Sequence, residues 1–266
     1  MLDDFDSASI LVLGSGTSTG VPMIGCHCKV CRSSDPRDKR LRPSVLVSFG
    51  PHRVLIDTSP DFRYQALRGG LERLDAVLYT HGHADHILGL DDLRPFNFMQ
   101  RNEIPIYGAA ETLAVIERTF HYVFDAEPSE SSRPKIVTRV FDNDAIPIAG
   151  LCFQPVRLAH GRGTVYGFRF GDCAYLTDHS EIPAEAEQQL QGLDVLFLDA
   201  LRYKPHPTHS TIDQSLETVA RLNPKRAFFT HISHDLLHAT VDERLPAHVR
   251  LAFDGLLIPI GRSARS

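Results

Sequence analysis

The chain has 266 residues, of which 42% are hydrophobic, and it carries a formal net charge of -5. This length suits a substantial core, and no Gly/Ser-rich or Pro-rich linker divides the sequence, so we expect residues 1–266 to form a single domain. The acidic balance disfavours nucleic acid as a partner, because nucleic-acid-binding domains usually carry a basic surplus.

A cytoplasmic location is expected from three features of the sequence. No apolar run approaches the roughly 20 residues that a membrane-spanning helix needs, which predicts no membrane association. The opening residues 1–6 are acidic, unlike the basic start of a secretory signal. Five cysteines, an odd number with three of them close together, favour a reducing compartment and metal binding over a disulfide framework.

Short apolar runs alternate with amphipathic stretches along the chain. The runs that predict strands are residues 10–13, 45–49, 54–56, 76–79, 165–170, 195–198 and 227–229. Helices are predicted over residues 111–122, over residues 183–190, and after a cap at Ser210 or Thr211. This alternation is typical of a layered α/β protein.

Residues 80–86 read Thr-His-Gly-His-Ala-Asp-His and directly follow a predicted strand. His81 and His83 can turn two imidazoles toward one metal ion, while Asp85 and His86 reach a second ion nearby. Imidazoles suit zinc, iron or manganese, and the carboxylate favours oxygen-binding metals at the second position. Accidental clustering is the alternative, since the chain has 14 histidines. Three histidines and one aspartate in this order rarely arise by accident, so the string predicts a binuclear metal site.

A second cluster, Gly-Cys-His-Cys-Lys-Val-Cys, occupies residues 25–31. Cys26, Cys28 and Cys31 can close around one zinc ion, but a structural zinc site needs four ligands, so one must come from elsewhere. The alternative is a redox-sensitive or merely buried group of thiols. Cys152 and Cys173 lie within strand-like runs, and we expect both in the core.

Two further segments are candidates for substrate recognition. The loop 14–20 offers backbone amides and hydroxyls that can bind phosphate, although glycine loops are weak evidence unless they meet the start of a helix. Residues 91–101 combine Arg94 with Phe96 and Phe98, as a pocket for a phosphorylated or aromatic ligand would. The same pattern fits packed core with one exposed arginine.

The string His-x-His-x-Asp-His resembles the signature of the metallo-β-lactamase superfamily of hydrolases. The resemblance implies a four-layer αββα sandwich with two metals at one edge. It also implies three further ligands at strand ends, which match His160, Asp178 and His231 in this sequence. Asp57 matches the family's carboxylate that orients a ligand histidine from behind.

The resemblance also implies how the ligands are shared between the two ions. One ion would be held by His81, His83 and His160. The other would be held by Asp85, His86 and His231, with Asp178 bridging the two.

A narrower resemblance concerns the phosphoribosyl 1,2-cyclic phosphate phosphodiesterases. Its motifs are the Cys-x-Cys-x-x-Cys loop, Leu-Gly-Ser-Gly-Thr at 13–17, Gly-Val-Pro at 20–22 and Thr-His-Ile-Ser-His at 230–234. It implies that His234 completes a structural zinc site in the loop 25–32, and that His209 is the general acid. Residues 35–40 and 57–63 depart from this branch and resemble a broader sister group.

The resemblance implies a binuclear metal-dependent phosphodiesterase for a small cyclic phosphate or phosphodiester. Two zinc or manganese ions would convert water to a nucleophilic hydroxide, with Asp85 among the residues at the reacting centre. His209 would protonate the leaving alkoxide. The expected partner is a small phosphorylated substrate, and a homodimer is left open.

Four other functions are weighed against this one. A tRNA 3'-processing endonuclease calls for a basic surface or an RNA-binding arm, and a thioesterase of the glyoxalase type usually adds a C-terminal helical domain. An antibiotic-degrading lactamase needs export. A non-catalytic, metal-stabilised binding module is the alternative outside the enzymes, and the complete set of seven matched ligands argues against it.

Overall fold

A computed structural model of the chain describes residues 8–125 and 130–261, so the acidic opening residues 1–6 lie outside the described part. The strands of the first half are β1 (Ala8–Gly14), β2 (Ser44–Phe49), β3 (His52–Ile56), β4 (Ala76–Leu78), β5 (Ile104–Gly108), β6 (Ile136–Val140) and β7 (Ile146–Ile148). The later strands are β8 (Leu151–His160), β9 (Gly163–Phe170), β10 (Cys173–Leu176), β11 (Val195–Asp199), β12 (Arg226–Thr230), β13 (Val249–Leu251) and β14 (Leu257–Ile260).

The helices lie between these strands. They are α1 (Phe62–Gly69), α2 (Ala84–Ile87), α3 (Arg94–Gln100), α4 (Ala110–Thr119), α5 (His121–Phe124), α6 (Ala184–Gln189), α7 (Ile212–Leu222) and α8 (His238–Asp242). Short 3₁₀ segments cover Pro36–Asp38 and Leu90–Leu93. Within the described ranges, no helix has the length and apolar character needed to cross a membrane.

In the described part of the chain, the strands form two seven-stranded sheets that share one plan. The first sheet has the order β14-β1-β2-β3-β4-β5-β6, and the second has the order β13-β12-β11-β10-β9-β8-β7. In the first sheet β3 to β6 run parallel, and in the second β10 to β13 do. The remaining pairs are antiparallel. Each sheet is therefore half antiparallel and half parallel.

Alternation along the strands sorts the apolar side chains into three layers of core. In β1, Ile10 and Val12 face the cluster between the two sheets, where they join residues such as Phe168 and Phe197 of the second sheet. Leu13 faces the outer cluster beneath α1, α3 and α4. A third cluster packs α6, α7 and α8 on the outer face of the second sheet. The predicted four-layer αββα sandwich is therefore confirmed.

The predicted helix at residues 111–122 is divided in the structure. Phe120 leaves the helical region at φ -111° and ψ 39°, between the end of α4 and the start of α5. Its side chain is buried in the outer cluster of the first sheet. The helix is thus interrupted where this aromatic ring is buried. The helical spacing of the sequence predicts one continuous helix and gives no sign of the interruption.

The prediction that both strand cysteines lie in the core is wrong for one of them. Cys173 is buried, whereas Cys152 is exposed. The neighbours of Cys152 in β8, Leu151 and Phe153, take the two inward positions. Because side chains alternate across a strand, Cys152 must point outward.

Candidate metal centre

Strand ends bring the predicted site residues to one edge of the sandwich. Asp57 follows β3, and the segment that begins at Thr80 follows β4. Asp178 and His231 follow β10 and β12 in the second sheet, while His160 and Asp199 are the last residues of β8 and β11. The carboxyl ends of neighbouring parallel strands meet at the same edge of a sheet, which is why residues so distant in sequence converge.

Three of these residues have left-handed backbone conformations. The φ angles are 64° for Asp57, 55° for Asp178 and 57° for His231. Residues other than glycine rarely adopt this backbone conformation, and such residues are concentrated at functional sites. The sharp turn at each strand end directs the side chain toward the shared edge.

One group of ligand atoms belongs to His81, His83 and His160. Nε2 of His81 lies 2.9 Å from Nδ1 of His83. One ligand atom from each of the three residues lies within 4.8 Å of the others. Burial holds the pKa of His81 well below its usual value, so its imidazole is neutral. A neutral imidazole is the form that binds a metal.

The second group contains Asp85, His86, Asp178 and His231, all of them buried. Oδ1 of Asp178 lies 3.4 Å from Nε2 of His86, and its Oδ2 lies 3.2 Å from Nε2 of His231. Oδ2 of Asp178 also lies 3.9 Å from Nε2 of His81, in the first group. Asp178 therefore stands between the two groups, at the position the resemblance implies for a bridging ligand.

Asp57 lies behind His86, as the resemblance implies. Its Oδ2 accepts a hydrogen bond of 2.7 Å from Nδ1 of His86, and it also accepts one from the hydroxyl of Thr80. A carboxylate can only accept, so Nδ1 of His86 carries a proton and Nε2 is the nitrogen that would face a metal. Such a partner fixes the tautomer and the ring orientation of a metal-binding histidine.

Unpartnered buried atoms test whether this site fits a metal. Oδ2 of Asp85, Nε2 of His86 and both ring nitrogens of His231 are buried and have no hydrogen-bond partner among the described residues. Such atoms are costly unless a ligand or ion satisfies them. Ligands at about 2.0–2.1 Å from a tetrahedral zinc lie about 3.4 Å apart, close to the separations around Asp178. The donor set and its spacing fit divalent ions.

Charge gives a second test. Burial alone would raise the pKa of Asp178, but His231 and His86 lower it well below its usual range. Burial would likewise lower the pKa of His231, but Asp178 raises it to about 10. Without a metal, protons on the histidines balance the buried carboxylates. Within the described ranges, the ion-pair partners of Asp85 and Asp178 are all histidines. Divalent cations would supply the positive charge instead of these protons.

The cysteine cluster meets His234 at a separate place. Sγ of Cys26 and Sγ of Cys28 lie 3.3 and 3.4 Å from Nδ1 of His234, and Cys31 completes the group. The backbone N–H of Cys31, together with His234, lowers the pKa of Cys28 to about 6, whereas burial raises that of Cys31 to about 11. A sulfur and a nitrogen on one tetrahedral zinc lie about 3.6 Å apart, so these four residues fit such an ion.

Asp199 is a site residue that the sequence reasoning missed. It is fully buried, and its Oδ2 accepts a hydrogen bond of 2.7 Å from Nδ1 of His209. The ring of His209 stacks on that of His231 with 4.6 Å between centroids, and it lies 5.0 Å from the ring of His160. Its position in the sequence could have indicated a site residue, because Asp199 comes at the end of an apolar run, as Asp57 and Asp178 do.

The two candidate recognition segments differ in their position relative to the proposed metal ligands. In segment 91–101, Arg94 pairs with Asp91 and Phe96 is buried, while Phe98 lines a cavity that contains none of the proposed metal ligands. A role of this segment in substrate binding therefore stays a prediction. In loop 14–20, Ser18 and Thr19 line a cavity that reaches Asp85.

Residues 52–232 match the model of the β-lactamase superfamily domain. The chain belongs to this superfamily. Membership and the two packed sheets place it among the hydrolases of the metallo-β-lactamase fold. The finer assignment of each ligand stays a prediction.

Two solved structures of this fold are similar to the chain. One is described as a new diphosphatase from the PhnP family; it is 50% identical, has a TM-score of 0.90, and the match covers 96% of this chain and 97% of that one. The other is Zn²⁺-bound PqqB from Methylobacterium extorquens, at 20% identity and a TM-score of 0.74, covering 95% and 100%. The second likeness concerns the fold alone.

A curated relative from Porphyromonas gingivalis is named octanoyltransferase. It is 43% identical over 92% of this chain, but the match covers only 50% of the relative. The chain thus spans half the length of that protein. Half of the relative has no counterpart here, so its name does not by itself assign an acyl-transfer activity to this chain.

We expect Asp178→Ala to abolish turnover and to reduce the amount of bound divalent metal. Asp178 contacts histidines of both groups, so its loss removes the one carboxylate shared between them. Metal content by plasma emission spectroscopy and a hydrolysis assay measure the two effects. The matched control is Asp142→Ala, at an exposed aspartate. Full activity, or unchanged affinity for two metals, contradicts the assignment.

We expect Cys28→Ser to lose one equivalent of zinc and to lower the melting temperature before chemistry is affected. Structural zinc supplies folding free energy, on the order of 10 kcal/mol in isolated zinc peptides and less in a domain with its own core. Calorimetric melting with metal analysis measures this. Cys152→Ser is the control, because Cys152 is exposed and outside the cluster. Retention of both zinc and melting temperature rules the site out.

Proposed function

We propose that this chain is a metal-dependent phosphodiesterase that cleaves a small phosphodiester or cyclic phosphate. The observation that carries the proposal is the pair formed by His209 and Asp199 at the edge of the two ligand groups. The pair provides a proton donor beside a site for divalent ions. A protonated histidine is what the departure of an alkoxide requires.

The side chains of the two ligand groups would hold the metals. His81, His83 and His160 would hold one ion, Asp85, His86 and His231 would hold the other, and Asp178 would contact both. When bound, such a pair of ions polarises a phosphoryl oxygen and lowers the pKa of water. Zinc and manganese both suit this mixture of imidazole and carboxylate.

Hydrogen bonding defines the role of His209. Nδ1 donates to Asp199, so Nε2 is the nitrogen available to pass a proton to the leaving oxygen. Asp199 also accepts the backbone N–H of His179, and its own backbone carbonyl accepts the hydroxyl of Ser215. These contacts fix Asp199, which in turn fixes the ring of His209. Asp199 is therefore a positioning residue.

A diphosphate linkage is the second candidate, because the 50% identical solved structure is described as a diphosphatase. In a disubstituted diphosphate, as in a diester, the reacting phosphorus carries two substituted oxygens and two non-bridging oxygens. One of the substituted oxygens is an ester oxygen and the other links the two phosphorus atoms. Its leaving group is a phosphate, whose second pKa is about 6 and which departs with little help from an acid. The His209 and Asp199 pair therefore favours the diester, where an alkoxide must be protonated.

The same reasoning separates the other enzymes considered. A thioester releases a thiolate, whose conjugate acid has a pKa of about 8.5 in cysteine, so a general acid contributes less there. A tRNA substrate would need many basic groups to bind its phosphates, and the net charge of -5 disfavours such a surface.

The single domain, the cytoplasmic location, the homodimer and the structural zinc stay predictions.

We expect His209→Ala to lower kcat by about 10²- to 10⁴-fold on a diester with an alkyl alkoxide leaving group, the usual contribution of general acid catalysis. A nitrophenolate needs little protonation, so the loss on a nitrophenyl diester should be much smaller. Steady-state kinetics on both substrates, together with metal analysis, measure this.

The matched control for that experiment is His248→Ala, at an exposed histidine outside the ligand groups. Asp199→Asn should lower kcat on the alkyl diester in the same direction, because an uncharged amide stabilises a protonated His209 less than a carboxylate does. Equal losses of His209→Ala on both substrates would mean that His209 positions the phosphate. Loss of metal would place it among the ligands.

A further inference from the structure

A cavity of about 330 Å³ adjoins the metal centre. Its lining includes the proposed metal ligand Asp85 and side chains of the N-terminal loops: Ser18, Thr19, Met23, Ile24 and Arg42. We call this space the Ile24 cavity. A substrate whose phosphorus lies beside Asp85 can extend one of its substituents into it.

The turn that carries Met23 and Ile24 is hydrogen-bonded to the cysteine loop. Ile24 is 97% exposed. The backbone carbonyl of Met23 accepts a hydrogen bond of 3.0 Å from the N–H of Cys26, and the N–H of Met23 donates to Sγ of Cys31 over 3.4 Å. A single exposed isoleucine is common on protein surfaces. Here the turn fixes it at the rim of a cavity, where a bound ring can cover it.

Polar groups occupy other parts of the lining. Ser18 and Thr19 contribute hydroxyls, and Arg42 contributes a guanidinium. Nε of Arg42 pairs with Oδ2 of Asp61 at 3.1 Å, whereas its terminal nitrogens have no hydrogen-bond partner within residues 8–125 and 130–261. A guanidinium has five donors in a fixed plane and binds phosphate well. The cavity thus combines an apolar wall with donors for oxygen atoms.

We propose that the Ile24 cavity binds a nucleoside-sized substituent, so that the substrate is a nucleoside phosphodiester or diphosphate. This inference rests on the proposed function, since the cavity begins at Asp85. The flat ring packs on Met23 and Ile24, and sugar or phosphate oxygens bind Thr19 and Arg42. Ligand sites of about 300–1,000 Å³ typically combine such apolar lining with a few polar groups. A fatty acyl chain would leave these polar groups unpaired.

Two esters with the same leaving group test the proposal: the nitrophenyl ester of thymidine monophosphate and methyl nitrophenyl phosphate. They differ only in the substituent that stays on phosphorus. We expect kcat/KM to be at least about tenfold higher for the nucleoside ester. Replacing Ile24 by Ser should reduce that ratio about tenfold, mainly through KM, and Thr19→Val should reduce it in the same direction.

The matched control is Phe98→Ser, which also removes an exposed apolar side chain but lines a cavity that shares no residue with this one. It should leave the ratio unchanged. Zinc analysis and melting of Ile24→Ser check that the cysteine loop is intact. Equal kcat/KM for the two esters in the parent protein, or an unchanged ratio in Ile24→Ser, overturns the proposal.

Direct binding separates this inference from the proposed function. Calorimetry measures the Kd of thymidine monophosphate for the parent protein, for Ile24→Ser and for Phe98→Ser. Weaker binding in Ile24→Ser alone supports the cavity even if neither ester is hydrolysed, a result that would reject the phosphodiesterase. Hydrolysis of both esters without nucleotide binding keeps the phosphodiesterase and rejects the cavity.

Discussion

Buried negative charge is the constraint on which the site depends. Asp57, Asp85 and Asp178 are all buried at one edge of the sandwich, and the ion-pair partners that the described residues give them are histidines. Removing an ion from water costs several kcal/mol, so each carboxylate needs a nearby positive charge. Histidine alone can provide it only by binding protons. Divalent cations would neutralise Asp85 and Asp178 and would leave the imidazoles neutral, which would account for carboxylates and histidines gathered around one point.

The repeated plan of the two sheets delivers these carboxylates. In each sheet the strand at the junction between antiparallel and parallel halves, β3 or β10, is followed within two residues by an aspartate with a left-handed backbone. The two aspartates have different tasks. Asp57 contacts His86 from behind, while Asp178 lies between the ligand groups. The same left-handed turn, at this junction in each sheet, therefore provides both a support and a proposed shared ligand.

Sequence patterns predicted the parts of this structure that depend on local spacing. The string at residues 80–86 placed four proposed ligands on one short segment, and apolar runs located most central strands within one or two residues. Thr211 caps α7 and forms a capping box with Gln214, as its position before an apolar periodic stretch indicates. The remaining proposed ligands could be located by resemblance only, since no local spacing links His160 to Asp178 or His231.

Other features could not be predicted, because they depend on tertiary packing. The break at Phe120 accompanies burial of its ring, and the outward direction of Cys152 depends on which neighbours face the core. Asp199 belongs to the site because β11 ends beside His209, a contact made only in the folded chain. Left-handed conformations at aspartate and histidine have no sequence signature as clear as that of glycine. The cavity at Ile24 is formed by segments that lie far apart in the sequence.

The loop that follows β12 joins the cysteine cluster to the metal centre. It carries His231 at one end and His234 three residues later, and between them Ile232 exchanges backbone hydrogen bonds with Ser15 and Thr17 of the N-terminal loop. The same N-terminal segment continues through Ser18 and Thr19 to the apolar wall at Ile24. An ion bound by the cysteines and His234 would thus fix both the strand-end loop and the wall of the adjoining cavity.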